Sequence, residues 1–201
     1  MNIPLPDAVI SYVHDFISHD ESIRYLETLL TEVAWQQNQI KMFGKVYNEP
    51  RLTAWYGDQG LSYKYSGIQL VSTAWSDLLN ELKSKVNAAA STEFNSALLN
   101  YYRDGQDSMG YHQDNEPELG LNPIIASLTF GAARTFQLKH ITDKSIKRKD
   151  ILLNSGSLLI MAGATQHYWK HQIPKTRKPI GPRLNITFRV IKDVNDRLHT
   201  S

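Results

Sequence analysis

"RLNITFRV", residues 183–190, alternates without a break. Arg183, Asn185, Thr187 and Arg189 fall on one side, Leu184, Ile186, Phe188 and Val190 on the other. A period of two with β-branched and aromatic residues is the pattern of a strand. The apolar row reads as core. The polar row carries two guanidinium groups, an amide and a hydroxyl. For a single arginine the ordinary reading is a half-buried strand with a wet outer face. Two arginines on one polar row suit a small dicarboxylate better, because a guanidinium fork grips a carboxylate through two parallel hydrogen bonds. A dry β-barrel interior strengthens such contacts.

Upstream of this strand the same texture repeats. "FNSALLNYYR" (94–103), "IIASLTFG" (124–131), "RTFQLKH" (134–140), "DILLNSGSLLIMAG" (150–163) and "HYWKHQI" (167–173) are short β-rich runs separated by Gly, Pro, Asn and Asp. Several short strands with turn signals predict an antiparallel sandwich or barrel. The first part of the chain reads differently. "DESIRYLETLLTEVAW" (20–35) predicts a helix with Asp20 near its cap and Ile23, Leu26, Leu29, Leu30 and Val33 on one face. "TAWSDLLNELKSKVNAAAS" (73–91) predicts a second, with Leu78, Leu79, Leu82 and Val86 at helical spacing. The fold class is therefore α+β, with helices outside a two-sheet β structure.

The chain has 201 residues, 41% of them hydrophobic, enough for one domain with a sizeable core. No repeat or long linker divides it, and a single domain over residues 1–201 is expected. Nothing resembles a signal peptide, and no apolar run approaches the ~20 residues needed to cross a bilayer, so no membrane association is expected. Cysteine is absent, which excludes disulfides, thiolate metal sites and thiol nucleophiles. Any metal must be held by His, Asp or Glu, which favours iron, manganese or a similar ion. A net charge of +2 does not by itself announce nucleic-acid binding. "KSIKRKD" (144–150) and "HQIPKTRKPIGPR" (171–183) do concentrate positive charge, most simply as solvated loops.

"GYHQDNEPEL" (110–119) places His112 and Asp114 two apart, so that on an extended strand both point to one face. A third ligand would complete the two-His, one-carboxylate set of non-haem Fe(II) oxygenases. The candidates are His140, His167, His171 and His199. His140 precedes a charged loop and His199 lies in the tail, whereas His167 and His171 share the predicted strand 167–173.

With "NYYRDG" (100–105), "HQD" (112–114), "IASLTFGAARTFQL" (125–138), "GSLLIMAG" (156–163), "HYWKH" (167–171) and "RLNITFR" (183–189) in that order, the chain resembles the AlkB-type Fe(II)/2-oxoglutarate-dependent dioxygenases over roughly residues 40 to 190. The resemblance implies a double-stranded β-helix (jelly roll) with its core over about 94–191 and the N-terminal helices packed outside. It implies Fe(II), 2-oxoglutarate as co-substrate and O2. His112, Asp114 and His171 would be the iron ligands and catalytic centre. Asn100, Tyr102, Arg183, Asn185, Thr187 and Arg189 would bind 2-oxoglutarate, Arg183 at the distal carboxylate. His167 has no ligand role in the family.

"KMFGKVYNEPRLTAWYGDQGLSYKYSG" (41–67) resembles the nucleotide-recognition region of the family member acting on double-stranded DNA. An apolar tip between two lysines suits a wedge that fills the gap left by an extruded base. Phe43 and Gly44 would form that finger, with Lys45 and Arg51 holding the strands. Tyr65 would stack on the flipped base, with Tyr63, Lys64, Asn115 and Glu116 completing the substrate contacts. The expected activity is oxidative demethylation of N-alkylated bases such as 1-methyladenine and 3-methylcytosine in duplex DNA, by a monomer. The alternative is a related dioxygenase acting on RNA, single-stranded DNA or a protein side chain.

Overall fold

The computed structural model describes residues 1–42, 44–65 and 68–192, with the backbone alone for residues 41–42, 62–65 and 68–71. In chain order a strand, Val9–Val13 (β1), precedes a helix, His19–Glu32 (α1). Five strands follow: Gln39–Met42 (β2), Lys45–Asn48 (β3), Leu52–Gly57 (β4), Ser62–Tyr65 (β5) and Ile68–Val71 (β6). The helix Asp77–Ala90 (α2) leads into Ser96–Tyr102 (β7), Met109–His112 (β8), Ile125–Gly131 (β9) and Arg134–His140 (β10). Lys149–Leu153 (β11), Leu158–Ala162 (β12), a four-residue helix Thr165–Tyr168 (α3), Trp169–Ile173 (β13) and Arg183–Arg189 (β14) complete the fold.

Six strands form the major sheet, in the order β1-β12-β9-β14-β7-β4, and four form the minor sheet, β11-β10-β13-β8. The strand pairings within both are antiparallel, the arrangement of a jelly roll with its helices outside. Hairpins β2-β3 and β5-β6 stand apart from the two sheets.

The position of β14 explains its alternating sequence. It pairs with β7 on one edge and β9 on the other, and all seven of its residues are buried. Leu184, Ile186 and Phe188 join a cluster with Leu29, Leu79, Leu82 and Val86, beneath the helices. Arg183, Asn185, Thr187 and Arg189 line the interior cavity. Neither face is wet. The polar row is buried because the minor sheet covers it.

The helices depart from expectation in detail. Ser18, not Asp20, caps α1, in a reciprocal box with Glu21. Ile23 is 44% exposed, and the buried position next to it belongs to Ser22. The cause is a close approach. Gly156 sits at φ +75°, and a Cβ there would run into Ile17 O and lie 2.7 Å from Ser22 Oγ. Only a small side chain on α1 leaves room for that turn. In α2, Leu79, Leu82 and Val86 are fully buried, as their spacing implies. His167 is not on a strand. It lies in α3 and is exposed, the strand starting only at Trp169.

Candidate metal and co-substrate site

His112 ends β8 and stands opposite His171 of β13 in the antiparallel register. Asp114 follows two residues later, just past the end of β8. One ligand atom from each of the three lies within 4.8 Å of the others. Asp114 Oδ1 is 3.9 Å from His112 Nε2, and Oδ2 is 3.9 Å from His171 Nε2. These separations are too long for hydrogen bonds, so three basic atoms converge on one point without satisfying each other. That is the donor set of a metal site.

The surroundings prepare each group for that role. His112 Nδ1 lies 2.9 Å from Gly110 O, which places a proton on Nδ1 and leaves Nε2 with its lone pair. His171 stacks on Phe136 at 5.0 Å between ring centroids. Burial, with the positive charge of nearby Arg189 adding to it, pushes its pKa down to about 3 against the pull of Asp114, so it is a neutral imidazole at physiological pH. Burial pushes the Asp114 carboxyl up, but Arg189, His171 and His112 outweigh that and hold it below the ordinary carboxylate value. Arg189 Nη2 donates to Asp114 Oδ1 at 2.7 Å and so fixes the carboxylate plane.

Gln166 has no counterpart in the sequence reading. It is wholly buried on α3. Its Oε1 accepts from the Asp114 backbone N–H (3.0 Å), and its carbonyl accepts from Gln113 Nε2 (2.7 Å). Five residues before His171, it ties the Asp114 segment to the start of β13.

The triad opens on a cavity of about 60 Å³, lined by Asn100, Tyr102, Arg183, Asn185, Thr187 and Arg189 and by Leu98, Met109, Phe136 and Ile173. Arg183 is 1% exposed. Its Nη2 donates to Thr129 Oγ1 at 3.1 Å, while its Nε and Nη1 are buried with no hydrogen-bond partner among the described residues. Burial lowers its pKa to about 10, the Tyr102 ring lying 5.1 Å from its guanidinium carbon. A buried guanidinium that meets no carboxylate among the described residues is costly unless an anion pairs with it.

Asn185 and Thr187 reach the cavity in a different capacity. Asn185 Nδ2 donates to Ser127 Oγ (2.7 Å) and Leu128 O (3.1 Å), and Thr187 Oγ1 donates to Asn185 Oδ1 (3.0 Å). The Asn185 amide is engaged with β9 and the Thr187 hydroxyl with Asn185, so both shape the pocket wall. Ser127 and Thr129 face β14 at alternate positions, a polar row within "IASLTFG" that the same period-two argument could have found.

The expected substrate residues are more dispersed. Gly44 turns the β2-β3 hairpin at φ +77°, a conformation open to glycine, and Lys45 beside it is exposed. Phe43 lies outside the described residues, as do the side chains of Tyr63, Lys64 and Tyr65 and all of His199. Asn115 is exposed, and Glu116 is half-buried at the start of a short 3-10 turn, Pro117–Leu119. Arg51 requires a correction. It is buried, with Nε donating to Asn100 Oδ1 (2.8 Å) and Nη2 to Glu49 Oε1 (3.2 Å). A guanidinium held in this way lines the cavity and does not reach out to a nucleic-acid strand. His140 is also structural: buried, it accepts from the Asp143 N–H and lies 3.6 Å from Asp7.

The model of the 2OG-Fe(II) oxygenase superfamily matches residues 9–189. The chain is 42% identical over 184 residues to the alpha-ketoglutarate-dependent dioxygenase alkB homolog 3 of Mus musculus, covering 88% of this chain and 64% of that protein. It is 37% identical over 178 residues to the DNA oxidative demethylase ALKBH2 of Homo sapiens, covering 86% and 68%. The chain thus spans just under two thirds of the mouse relative's length. The solved structure of OsALKBH1 shares the fold, with a TM-score of 0.66 at 16% identity over 94% of this chain and 98% of that one.

Proposed function

Because this chain belongs to the 2OG-Fe(II) oxygenase superfamily, we propose that it is a 2-oxoglutarate-dependent dioxygenase that oxidatively demethylates N-alkylated bases, such as 1-methyladenine and 3-methylcytosine, in duplex DNA. The observation that carries this reading is the pairing, in one cavity, of a His-Asp-His donor set with the uncompensated guanidinium of Arg183. A metal alone would not require the second feature. A dicarboxylate bound between them would. The names of the relatives, a dioxygenase and a DNA oxidative demethylase, support the substrate class.

His112, Asp114 and His171 would hold the iron, and Arg183 would receive the distal carboxylate of 2-oxoglutarate. Iron(II) with 2-oxoglutarate and O2 supplies the oxidation of the N-methyl carbon, whose hydroxylated product releases formaldehyde and leaves the base restored. Arg189 keeps the Asp114 carboxylate ionised and oriented throughout. Leu98, Met109, Phe136 and Ile173 form the apolar part of the wall and limit the water around the reacting carbon. His112, partly exposed beside the buried pair, would meet the substrate base at the mouth of the cavity. Lys45 and the β2-β3 hairpin would meet the DNA backbone, with Phe43 as the wedge.

The test is mass spectrometry of oligonucleotides carrying 1-methyladenine or 3-methylcytosine, single- and double-stranded, with and without 2-oxoglutarate. Loss of 14 Da from the duplex only when 2-oxoglutarate is present is the expected result. Activity confined to single strands or RNA would reject the duplex assignment, and no turnover of any nucleic acid would reject the substrate class.

A further inference from the structure

Glu49 and Arg51 form a buried ion pair at the edge of the cavity, each side chain 4% exposed. Glu49 is anchored through its backbone: its N–H donates to Asn38 O (2.8 Å), and its carbonyl accepts from Gln37 Nε2 (3.2 Å). One carboxylate oxygen takes the Arg51 bond, and the other, Oε2, is buried without a partner. Stability alone does not account for such a pair, because desolvating two charges consumes most of their attraction and apolar residues of similar volume often serve as well.

The consequence of the pair lies at Asn100. Arg51 Nε can only donate, so the end of the Asn100 amide that it meets at 2.8 Å must be the carbonyl Oδ1. The amide has no freedom to turn over while that bond stands. Its donor end, Nδ2, then points away from Arg51. Asn100 and Arg51 both line the cavity, and Asn100 faces Asn185 across the β7-β14 pair.

We propose that Glu49 and Arg51 are positioning residues that lock the Asn100 amide with its N–H donors toward the 2-oxoglutarate pocket, Glu49 acting through Arg51 and Arg51 through Asn100. This rests on the dioxygenase reading of the cavity. Arg51 is thereby assigned to co-substrate affinity and not to the grip on DNA.

The experiment is anaerobic calorimetric titration of 2-oxoglutarate into the Mn(II)-loaded protein, with steady-state KM values for 2-oxoglutarate and for a methylated oligonucleotide measured in parallel. Arg51→Met is expected to weaken 2-oxoglutarate binding by about ten-fold or more, the loss typical of one hydrogen bond to a charged group. The KM for 2-oxoglutarate should rise with it, by more than kcat falls. Because Arg51→Met leaves a buried unpaired carboxylate, the double variant Glu49→Gln/Arg51→Met, which removes both charges, must show the same loss. In an Asn100→Ala background Arg51→Met should add nothing further, since its effect passes through that amide. Unchanged affinity in the double variant, additive losses with Asn100→Ala, or a defect confined to the oligonucleotide KM would each overturn the proposal. If the unaltered protein bound no 2-oxoglutarate, the dioxygenase reading itself would fall. Tight binding by it and by both variants overturns the positioning role alone.

Discussion

His112 on β8 and His171 on β13 are register partners across an antiparallel pair, with ring centroids 4.3 Å apart. Two imidazoles so placed approach each other from neighbouring strands, and Asp114 reaches the same point from the segment beyond β8. Strand pairing sets the two histidines, and the segment beyond β8 supplies the carboxylate.

His112→Ala, Asp114→Ala and His171→Ala are each expected to abolish turnover and Mn(II) binding, because each removes one of three protein ligands. His167→Ala, on an exposed turn, should retain most activity. Gln166→Ala should weaken metal binding by roughly 10–100-fold through a poorly held Asp114, the usual consequence of losing an outer partner of a ligand. Calorimetry with Mn(II) checks all five variants, and a dead His167→Ala beside an active His171→Ala would reverse the choice of ligand.

Arg183→Ala should raise the 2-oxoglutarate concentration required for half-maximal activity by about 10–100-fold, since a charge-assisted hydrogen bond in a dry pocket contributes ~1.5–3 kcal/mol. Arg183→Lys should recover only part of this, because an ammonium cannot reproduce the fork. An unaltered 2-oxoglutarate requirement in Arg183→Ala would remove the arginine from the co-substrate site.

Phe43→Ala tests the wedge. Extruding a base from a duplex costs a few kcal/mol, whereas a base in a single strand is already accessible. Repair of duplex DNA should therefore slow several-fold more than repair of the same lesion in a single strand, with little change in melting temperature. Equal losses on both substrates would make Phe43 a packing residue.

Asp107 links the fold to pH. Burial raises its pKa, but the hydrogen bonds from the Arg103 side chain (2.7 and 2.9 Å) and backbone N–H (2.9 Å) outweigh that and hold it below the ordinary carboxylate value. A carboxyl whose pKa is depressed on folding stabilises the protein above its unfolded pKa, and that contribution disappears as pH falls through the folded value. Asp107→Asn should thus lower the melting temperature at pH 7, by about 2–4 °C for each kcal/mol lost in a chain of this size. The gap from the unaltered protein should close as the pH drops below about 4. A gap that stays constant down to pH 2 would assign the effect to shape and not to charge.

The strands were legible because period-two alternation and turn residues mark them locally, and the ordered motifs pointed to His112, Asp114 and His171, which the structure brings together at one cavity. What escaped depends on partners distant in sequence. The polar row of β14 reads as a dicarboxylate-binding face, but that the minor sheet is what covers it could not be read locally. Arg51 reads as a surface cation because a sequence shows charge and not pairing, although Glu49 at two residues' distance was a local hint. "HYWKHQI" reads as one continuous strand, yet Thr165 Oγ1 bonds to the Ala162 carbonyl and to the backbone of Val9, and the helical turn that it opens removes His167 from β13. Gln166 left no trace at all, since an isolated glutamine has no period and no motif.

The alternation of β13 has a further consequence for how errors in folding would appear. Trp169, His171 and Ile173 point inward together, and Trp169, wholly buried, donates from its indole nitrogen to Pro6 O at 2.9 Å. Sliding the strand by one residue would send all three outward and bring Lys170 in. The loss of the tryptophan from the core would alone cost about as much as a severe core truncation, ~3–5 kcal/mol. A chain that had misplaced His171 would therefore also have forfeited a large share of its stability. The tryptophan takes no part in the chemistry, yet it proofreads the position of the histidine two residues away, so that misaligned molecules would tend to be unfolded ones and not folded, inactive ones.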